Sequence, residues 1–336
     1  EPIAAQESLN EHAVWITNQL ARVGDFFICG NERQRDYWIG VLTANGRTNP
    51  RNFLKDPTFR TMIDVVGIGF PSREPQPHPF LRGIHPRVPM DARIVLWGGG
   101  IWNWLDPLTL VKAWPQVITK HPDARLIFLG TRHPNPLVPR HEMAEKAEKL
   151  AEEIGEKDRT ILFFEWLPYA DREALLCESD IGVTLHPLHL ETRYSLRTRV
   201  MDYFWAHLPV LITDGDITSE WVQQHGIGVV VPPYEENAVA YGLNSLLDQP
   251  KDTWSEAFES LHESLRWSHV VKPLLKYCIE GEYAGDRQDR GISEQDIPPP
   301  ILASRISRAM NIWRTEGTRM LLHRIWRYFQ WRSSRL

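Results

Sequence analysis

The sequence predicts an α/β protein built on a doubly wound, Rossmann-like parallel sheet, and three observations carry that expectation. Short apolar runs recur from Arg93 onward: RIVLWGG (93–99), ARLIFLG (124–130), TILFFEW (160–166), IGVTLH (181–186), PVLITD (209–214) and GVVVPP (228–233). Stretches with helical spacing separate them at 106–120, 139–155, 169–178, 193–207, 217–225 and 235–249. The runs are continuously apolar rather than alternating, which is the pattern of strands buried on both faces. Strand–helix alternation with right-handed crossovers then gives a sheet covered by helices on both sides. Ligands in such sheets bind beyond the carboxyl ends of the strands, so the loops after those runs are the places to look.

Length and composition bound the rest. At 336 residues the chain is long enough for two domains. A net charge of −5 with 42% apolar residues describes an ordinary globular protein. Cys29, Cys177 and Cys278 are scattered, with neither a disulfide framework nor metal-ligand spacing, so reduced thiols and a cytoplasmic location are expected. No apolar run is long enough to span a bilayer. The chain opens at Glu1 directly in helix-like sequence, which suggests a fragment of a longer protein.

Residues 1–25 read as a helix with a polar face, and DFFICG (25–30) as a compact strand. A helix capped by Asn31 follows and ends near Asn45-Gly46. TMIDVVGIGFP (61–71) reads as another strand, leading into a Pro-rich stretch expected to be a linker. The domain plan is therefore 1–75, a linker at 76–92, the repeating α/β domain at 93–280, a second linker at 281–300 and a basic helical region at 301–336.

The most informative stretch is HPLHLETRYSLRTRVMDYFWAHLPVLITDGD (186–216), which reads as strand end, polar loop, helix and strand. Leu196, Val200, Tyr203, Phe204 and His207 fall near one helical face. Ser195 is the expected N-cap of that helix. The free N–H groups of its first turn would favour an anion, with Arg193, Arg197 and Arg199 around it. Asp202 lies one turn further in, and Asp216 reads as the cap of the next helix. The loop after the first run, Trp97-Gly98-Gly99-Gly100-Ile101-Trp102-Asn103-Trp104, allows close backbone approach to a ligand but is not G-x-G-x-x-G, which disfavours an ordinary dinucleotide site.

Arg199-x-x-Asp202-Tyr203 followed by Ala206-His207-Leu208-Pro209-Val210 resembles the (K/R)-x-x-(E/D)-Y…A-G-x-P-V segment of GT-B glycosyltransferases, family 4 in particular. Asn31-Glu32-Arg33-Gln34-Arg35-Asp36-Tyr37-Trp38 and Val66-Gly67-Ile68-Gly69 resemble the closing segments of that family's N-terminal domain. The resemblance covers roughly residues 25–250. It implies a GT-B fold: a C-terminal donor-binding domain, with a remnant of the acceptor-side domain whose larger part precedes Glu1. It further implies retaining transfer of a hexose-type unit from a nucleoside-diphosphate sugar, with no essential metal and no cofactor beyond the donor. Asp202 maps onto the acid that takes the ribose hydroxyls. The loops at Gly130-Thr131-Arg132 and Glu165-Trp166 would enclose the base. Two departures stand out. The Arg and Lys usual after the first strand are replaced by Trp-Asn-Trp-Leu-Asp, and Tyr194 stands eight positions before Asp202 where the family carries its first glutamate. Glu191 is the nearest acid available to substitute.

The candidate site is therefore Glu191 and Arg199 in catalysis, with Gly99, Gly100, Arg132, Trp166, Ser195, Arg197, Arg199 and Asp202 on the donor. The expected function is glycosyl transfer in surface polysaccharide or glycolipid synthesis, onto a glycan or lipid-linked acceptor. A GT-B nucleotide-sugar epimerase and a non-catalytic nucleotide-sugar-binding scaffold are the alternatives. Residues 301–336 carry eight Arg, one Glu and no Lys, a local +7 against −12 for the remainder. Trp313, Trp326 and Trp331 are interleaved at near-helical spacing. This pattern suits an anionic membrane surface with peripheral attachment, and the acidic body argues against nucleic acid. The competing reading is a helix docked on its own domain.

Overall fold

The computed structural model describes residues 3–133, 135, 138, 140–287 and 301–333. They fall into two compact units, one from residues 1–66, 135–137 and 272–336, the other from 67–134 and 138–271.

In the first unit, helix α1 (Ile3–Val23) precedes a βαβ arrangement of β1 (Phe27–Cys29), α2 (Glu32–Ala44), the short α3 (Pro50–Lys55) and β2 (Ile63–Val65). The two strands pair in parallel, Phe27 opposite Ile63. Asn31 caps α2 as expected, its side chain accepting the Gln34 N–H, and Gly46 closes it in the left-handed region. A small core gathers Ala21, Cys29, Leu42, Met62 and Ile63. Polar groups anchor this unit. The Arg47 guanidinium is buried, donating to the Ala21 and Gly24 carbonyls at 2.7 Å and to both Asp286 carboxylate oxygens at 3.0 and 3.2 Å.

The second unit holds the predicted sheet. Its elements are β3 (Arg93–Trp97), α4 (Pro107–Lys120), β4 (Ala124–Phe128), α5 (Glu142–Glu153), β5 (Ile161–Phe163), α6 (Tyr169–Glu178), β6 (Ile181–Thr184), α7 (Leu190–Tyr194), α8 (Thr198–Trp205), β7 (Val210–Thr213), α9 (Ile217–His225), β8 (Gly228–Val231) and α10 (Glu236–Leu247). A 3-10 turn (Lys251–Trp254), α11 (Ser255–Leu265) and α12 (Trp267–Val270) follow. The first unit then resumes with α13 (Lys272–Glu280) and α14 (Ile301–Ser333). All six strands are parallel, in the order β5-β4-β3-β6-β7-β8. The connection reverses direction between β3 and β6, so a crevice opens at their carboxyl ends. Every residue of β6 and β7 is buried, as two-sided coverage requires.

Four details depart from the sequence reading. The helix expected over 193–207 is two helices, α7 and α8, separated by extended backbone at Ser195 and Arg197. Ser195 ends α7 rather than capping α8, whose N-cap position is Arg197 with no side-chain cap bond. The physical reason is local: the Ser195 hydroxyl turns back to Glu191, and Arg197 is drawn into buried carboxylates described below. Within 76–92, Leu81, Val88 and Ala92 are buried in the core, and the Phe80, Leu81 and Arg82 N–H groups bond the Glu178 carboxylate at 2.8, 2.8 and 3.2 Å. The α14 helix is interrupted at Gly317 (φ 83°, ψ 168°). The 288–300 part of the expected second linker lies outside the described residues, as does the Trp331 side chain.

Removing one partner of a buried ion pair leaves an uncompensated charge, so Asp286→Ala should destabilise the protein by about 3–5 kcal/mol. Chemical denaturation of wild type and variant measures this, and an unchanged midpoint would show that the pair does not hold the first unit together.

Candidate functional site

The site is built around Tyr203, which lies on α8 and is fully buried. Its hydroxyl accepts the Gly98 N–H at 2.7 Å and lies 3.0 and 3.1 Å from the Leu96 and Val183 carbonyl oxygens, to one of which it donates. One side chain thus ties β3, β6 and the glycine loop together at the crevice. The space it occupies is left by two glycines. A Cβ at Gly182 would meet the Tyr203 ring at 2.4 Å, and one at Gly98 would meet it at 2.9 Å. Gly130, left-handed at φ +67°, brings the loop after β4 equally close, since a Cβ there would come within 3.0 Å of the Gly100 nitrogen. Part of the glycine requirement in this loop is therefore packing.

Arg199, one turn before Tyr203, is aimed at the same loop. Its Nη2 donates to the Gly100 carbonyl at 2.8 Å, and its guanidinium carbon sits 5.0 Å from the centre of the buried Trp97 ring. A Cβ on Gly99 would stand 3.6 Å from the guanidinium, so this loop passes the cation at van der Waals distance. Nη1 is buried and has no hydrogen-bond partner. Among the described residues no carboxylate pairs with it, and desolvation, opposed by Tyr203 and helped by a smaller push from Arg197, brings the guanidinium down to about 10.

Arg197 behaves in the opposite way. It is buried, and its Nε donates to Asp216 at 3.1 Å. Nη1 and Nη2 meet the two Glu191 oxygens at 3.2 Å each, a bidentate pair. Asp216 is itself fully buried. It caps α9 through the Ser219 N–H at 2.8 Å, accepts the Thr218 hydroxyl at 2.7 Å, and lies 3.3 Å from His186 Nε2 at the end of β6. Burial raises the Asp216 carboxyl, but the interactions with His186, Thr218 and Ser219 outweigh it and hold the group below the usual carboxylate range. The expected trio of arginines around one anion site is thus corrected. Arg197 is neutralised by two carboxylates, Arg193 is exposed, and Arg199 alone among the three faces the glycine loop.

The remaining candidates are distributed along the rim. Glu191 is half-exposed and held by Arg197, with the Ser195 hydroxyl within reach of both its carbonyl, at 2.9 Å, and its carboxylate. Asp202 is partly buried and pairs with Arg172, in the first turn of α6. The sequence offered no signal for that partner beyond its place after β5. A cavity of about 220 Å³ adjoins the pair, lined among others by Phe70, Arg73 and Trp205. Arg132 and Trp166 stand exposed on the loops after β4 and β5, which are joined by the Thr131 and Arg132 N–H groups bonding the Phe164 and Glu165 carbonyls at 3.3 and 3.4 Å. Trp166 meets His133 edge-on, with ring centres 5.5 Å apart.

This arrangement can hold an anion at the glycine loop and a polar, hydroxyl-bearing group beside it. Known proteins resemble this chain in sequence or fold. Residues 92–249 match the family model for glycosyl transferases group 1. A chitobiosyldiphosphodolichol beta-mannosyltransferase from Yarrowia lipolytica is 27% identical over 180 residues, covering 50% of this chain and 34% of the relative. Among solved structures, HepE from Anabaena in complex with UDP-glucose is similar with a TM-score of 0.59 at 14% identity, over 78% of this chain and 65% of that one. Sucrose-phosphate synthase from Thermosynechococcus elongatus gives 0.57 at 16% identity, over 81% and 63%. WaaG, a glycosyltransferase of lipopolysaccharide biosynthesis, gives 0.53 at 17%, over 77% and 63%. The chain spans about a third of the curated relative and less than two thirds of these solved structures. Residues 92–249 thus match the glycosyl transferases group 1 model, and the chain shares the GT-B fold of these solved structures.

Proposed function

We propose that this protein binds a nucleoside-diphosphate sugar at the β3–β6 crevice and takes part in transferring its sugar, a hexose-type unit, to an acceptor hydroxyl. The observation that carries the reading is Arg199: a desolvated cation with an unused donor, facing a loop whose glycines let a ligand approach the backbone. In the transfer, the bond between the anomeric carbon and the diphosphate oxygen breaks, the acceptor oxygen takes its place, and the acceptor's hydroxyl proton passes to the departing diphosphate. The leaving diphosphate keeps the electron pair. Charge develops on its oxygens, and a fixed cation in a partly dry site stabilises it there. Glu191, oriented by Arg197, retains a free lone pair on Oε2 for a sugar hydroxyl. Asp202 is the ribose anchor in this reading, with Arg172 holding its carboxylate in place. The retaining outcome and the family-4 assignment rest on the sequence resemblance. The UDP-glucose complex of HepE supports a nucleotide-sugar donor, and the name of the Yarrowia relative supports hexose transfer to a lipid-linked diphosphate acceptor.

The basic C-terminal region fits such an acceptor. Trp313, Met320, Leu322, Ile325 and Trp326 are exposed on α14. Its two halves are pinned across Gly317 by Trp313 Nε1 to Thr318 at 3.0 Å and by Arg324 to Glu316 at 2.9 Å. Among the described residues, no helix is long and apolar enough to cross a membrane. We place α14 at an anionic membrane surface, its aromatics at headgroup depth and its arginines on lipid phosphates, each worth about 1 kcal/mol.

Calorimetric titration with UDP, dTDP, GDP and ADP tests the placement. Wild type should bind at least one of them, and Arg199→Ala should weaken that binding ~10-fold or more, the cost of one charged hydrogen bond. Equal binding by both proteins would refute it. Asp202→Asn should weaken the nucleoside diphosphate by ~1.5–3 kcal/mol while leaving pyrophosphate nearly unchanged. Equal losses for both ligands would remove Asp202 from the ribose.

For the tail, the full chain should sediment with phosphatidylserine vesicles, less so as salt rises, and a chain ending at Pro300 should not. If both sediment alike, the membrane role is wrong. A lower melting temperature in the shortened chain would instead mark a helix docked on its own domain.

A further inference from the structure

At the far end of α8 from Arg199, three segments of the second unit bring together Glu74, His207 and His262. Glu74 comes from the Pro-rich stretch before β3, His207 from the turn that closes α8, and His262 from α11. One ligating atom from each lies within 4.8 Å of the other two.

His262 is buried, and its Nε2 lies 2.8 Å from the Phe204 carbonyl oxygen. A carbonyl only accepts, so Nε2 carries the proton and Nδ1 presents its lone pair. That Nδ1 stands 3.3 Å from His207 Nε2, which is in turn 3.9 Å from a Glu74 carboxylate oxygen. Two imidazole nitrogens bound to one zinc at ~2.0–2.1 Å are separated by a tetrahedral edge of about 3.3–3.4 Å. The nitrogen separation already has this value, and the carboxylate, 3.9 Å from His207 Nε2 and within 4.8 Å of His262 Nδ1, needs to move inward by ~0.5–1.5 Å to complete a third ligand. An imidazole that gives its remaining N–H to a backbone carbonyl is the usual support of a metal-bound histidine, because it fixes both tautomer and ring plane.

His207 supplies the second, independent observation. Its φ is 54°, in the left-handed region, at a helix-closing position that glycine fills without strain. A side chain there costs ~1 kcal/mol, and the ring is then stacked on Phe258 with centres 5.4 Å apart and planes 6° from parallel. The strained backbone and the stacking together hold the imidazole against His262, edge to face with centres 4.2 Å apart.

We propose that Glu74, His207 and His262 form a site for a zinc-type divalent cation, which clips the Glu74 segment and α11 to the end of α8. Two imidazoles and a carboxylate suit such an ion, and the exposure of Glu74 leaves a fourth position open to water. The site stands apart from the nucleotide crevice and is independent of the function proposed there. Without the ion, His207 Nε2–H donates to His262 Nδ1, and the Glu74 carboxylate is left 3.9 Å from His207.

The test uses the full chain without a histidine tag. Titration with Co²⁺ should give the visible absorption of a four-coordinate ion, saturating at one equivalent, and Zn²⁺ should displace it and raise the melting temperature. Glu74→Gln changes an exposed group, so the protein should fold normally and bind Zn²⁺ ~10-fold more weakly or worse. His207→Gly should melt at the same temperature as wild type or higher without metal, since the strained backbone is relieved, yet give no Co²⁺ spectrum and no Zn²⁺ shift. A folded wild type with neither signal would overturn the proposal, as would signals that persist in His207→Gly.

Discussion

Tyr203 sets the geometry on which the candidate site depends. A phenol fills the gap left by one glycine in β6 and one in the loop just after β3, and its hydroxyl serves the Gly98 N–H and one of two strand carbonyls at the point where the sheet reverses its connectivity. A hydroxyl buried in this way must be satisfied, so the tyrosine and the loop define each other's position. Because Tyr203 is fixed, α8 is fixed, and Arg199 one turn earlier is held against the glycine loop. The crevice is thus shaped by packing before any ligand arrives, which is what a site that stabilises a departing charge requires.

Two arginines two residues apart show how burial divides labour. Arg197 is matched by Glu191 and Asp216, and Asp216 also meets His186 and the start of α9, so the charge of Arg197 is fully offset and its hydrogen bonds are largely used. It braces the loops after β6 and β7. Arg199 meets a carbonyl and an aromatic face, neither of which cancels its charge. A desolvated cation without a counter-charge is costly in an apo protein. An anion bound there would recover the cost, and on that asymmetry the proposal rests on Arg199 rather than Arg197.

The fold was legible because its signal is periodic and redundant. Six apolar runs with helices between them leave little choice but a doubly wound parallel sheet, and each run appears as a strand two to four residues shorter than read. The site was legible in part. Arg199 and the glycine loop could be named from the stretch 186–216 and from strand ends, since topology alone brings those ends together. What could not be read was pairing between side chains distant in sequence. Nothing local says that Arg172 meets Asp202, or that Arg197 turns toward Asp216 and in doing so breaks the 193–207 helix at Ser195. The helical period of that segment is real, but a buried ion pair overrides it. The triad of Glu74, His207 and His262 spans almost 190 residues and has no sequence motif at all.

The central claim is that the diphosphate of a nucleotide sits on Arg199 at the glycine loop. A crystal structure of the protein with the nucleoside diphosphate that binds best in titration tests it most directly. The account predicts a phosphate oxygen about 3 Å from Arg199 Nη1, with further phosphate oxygens over the backbone of Gly99 and Gly100. Diphosphate bound elsewhere, with Arg199 Nη1 still lacking a partner, would contradict it.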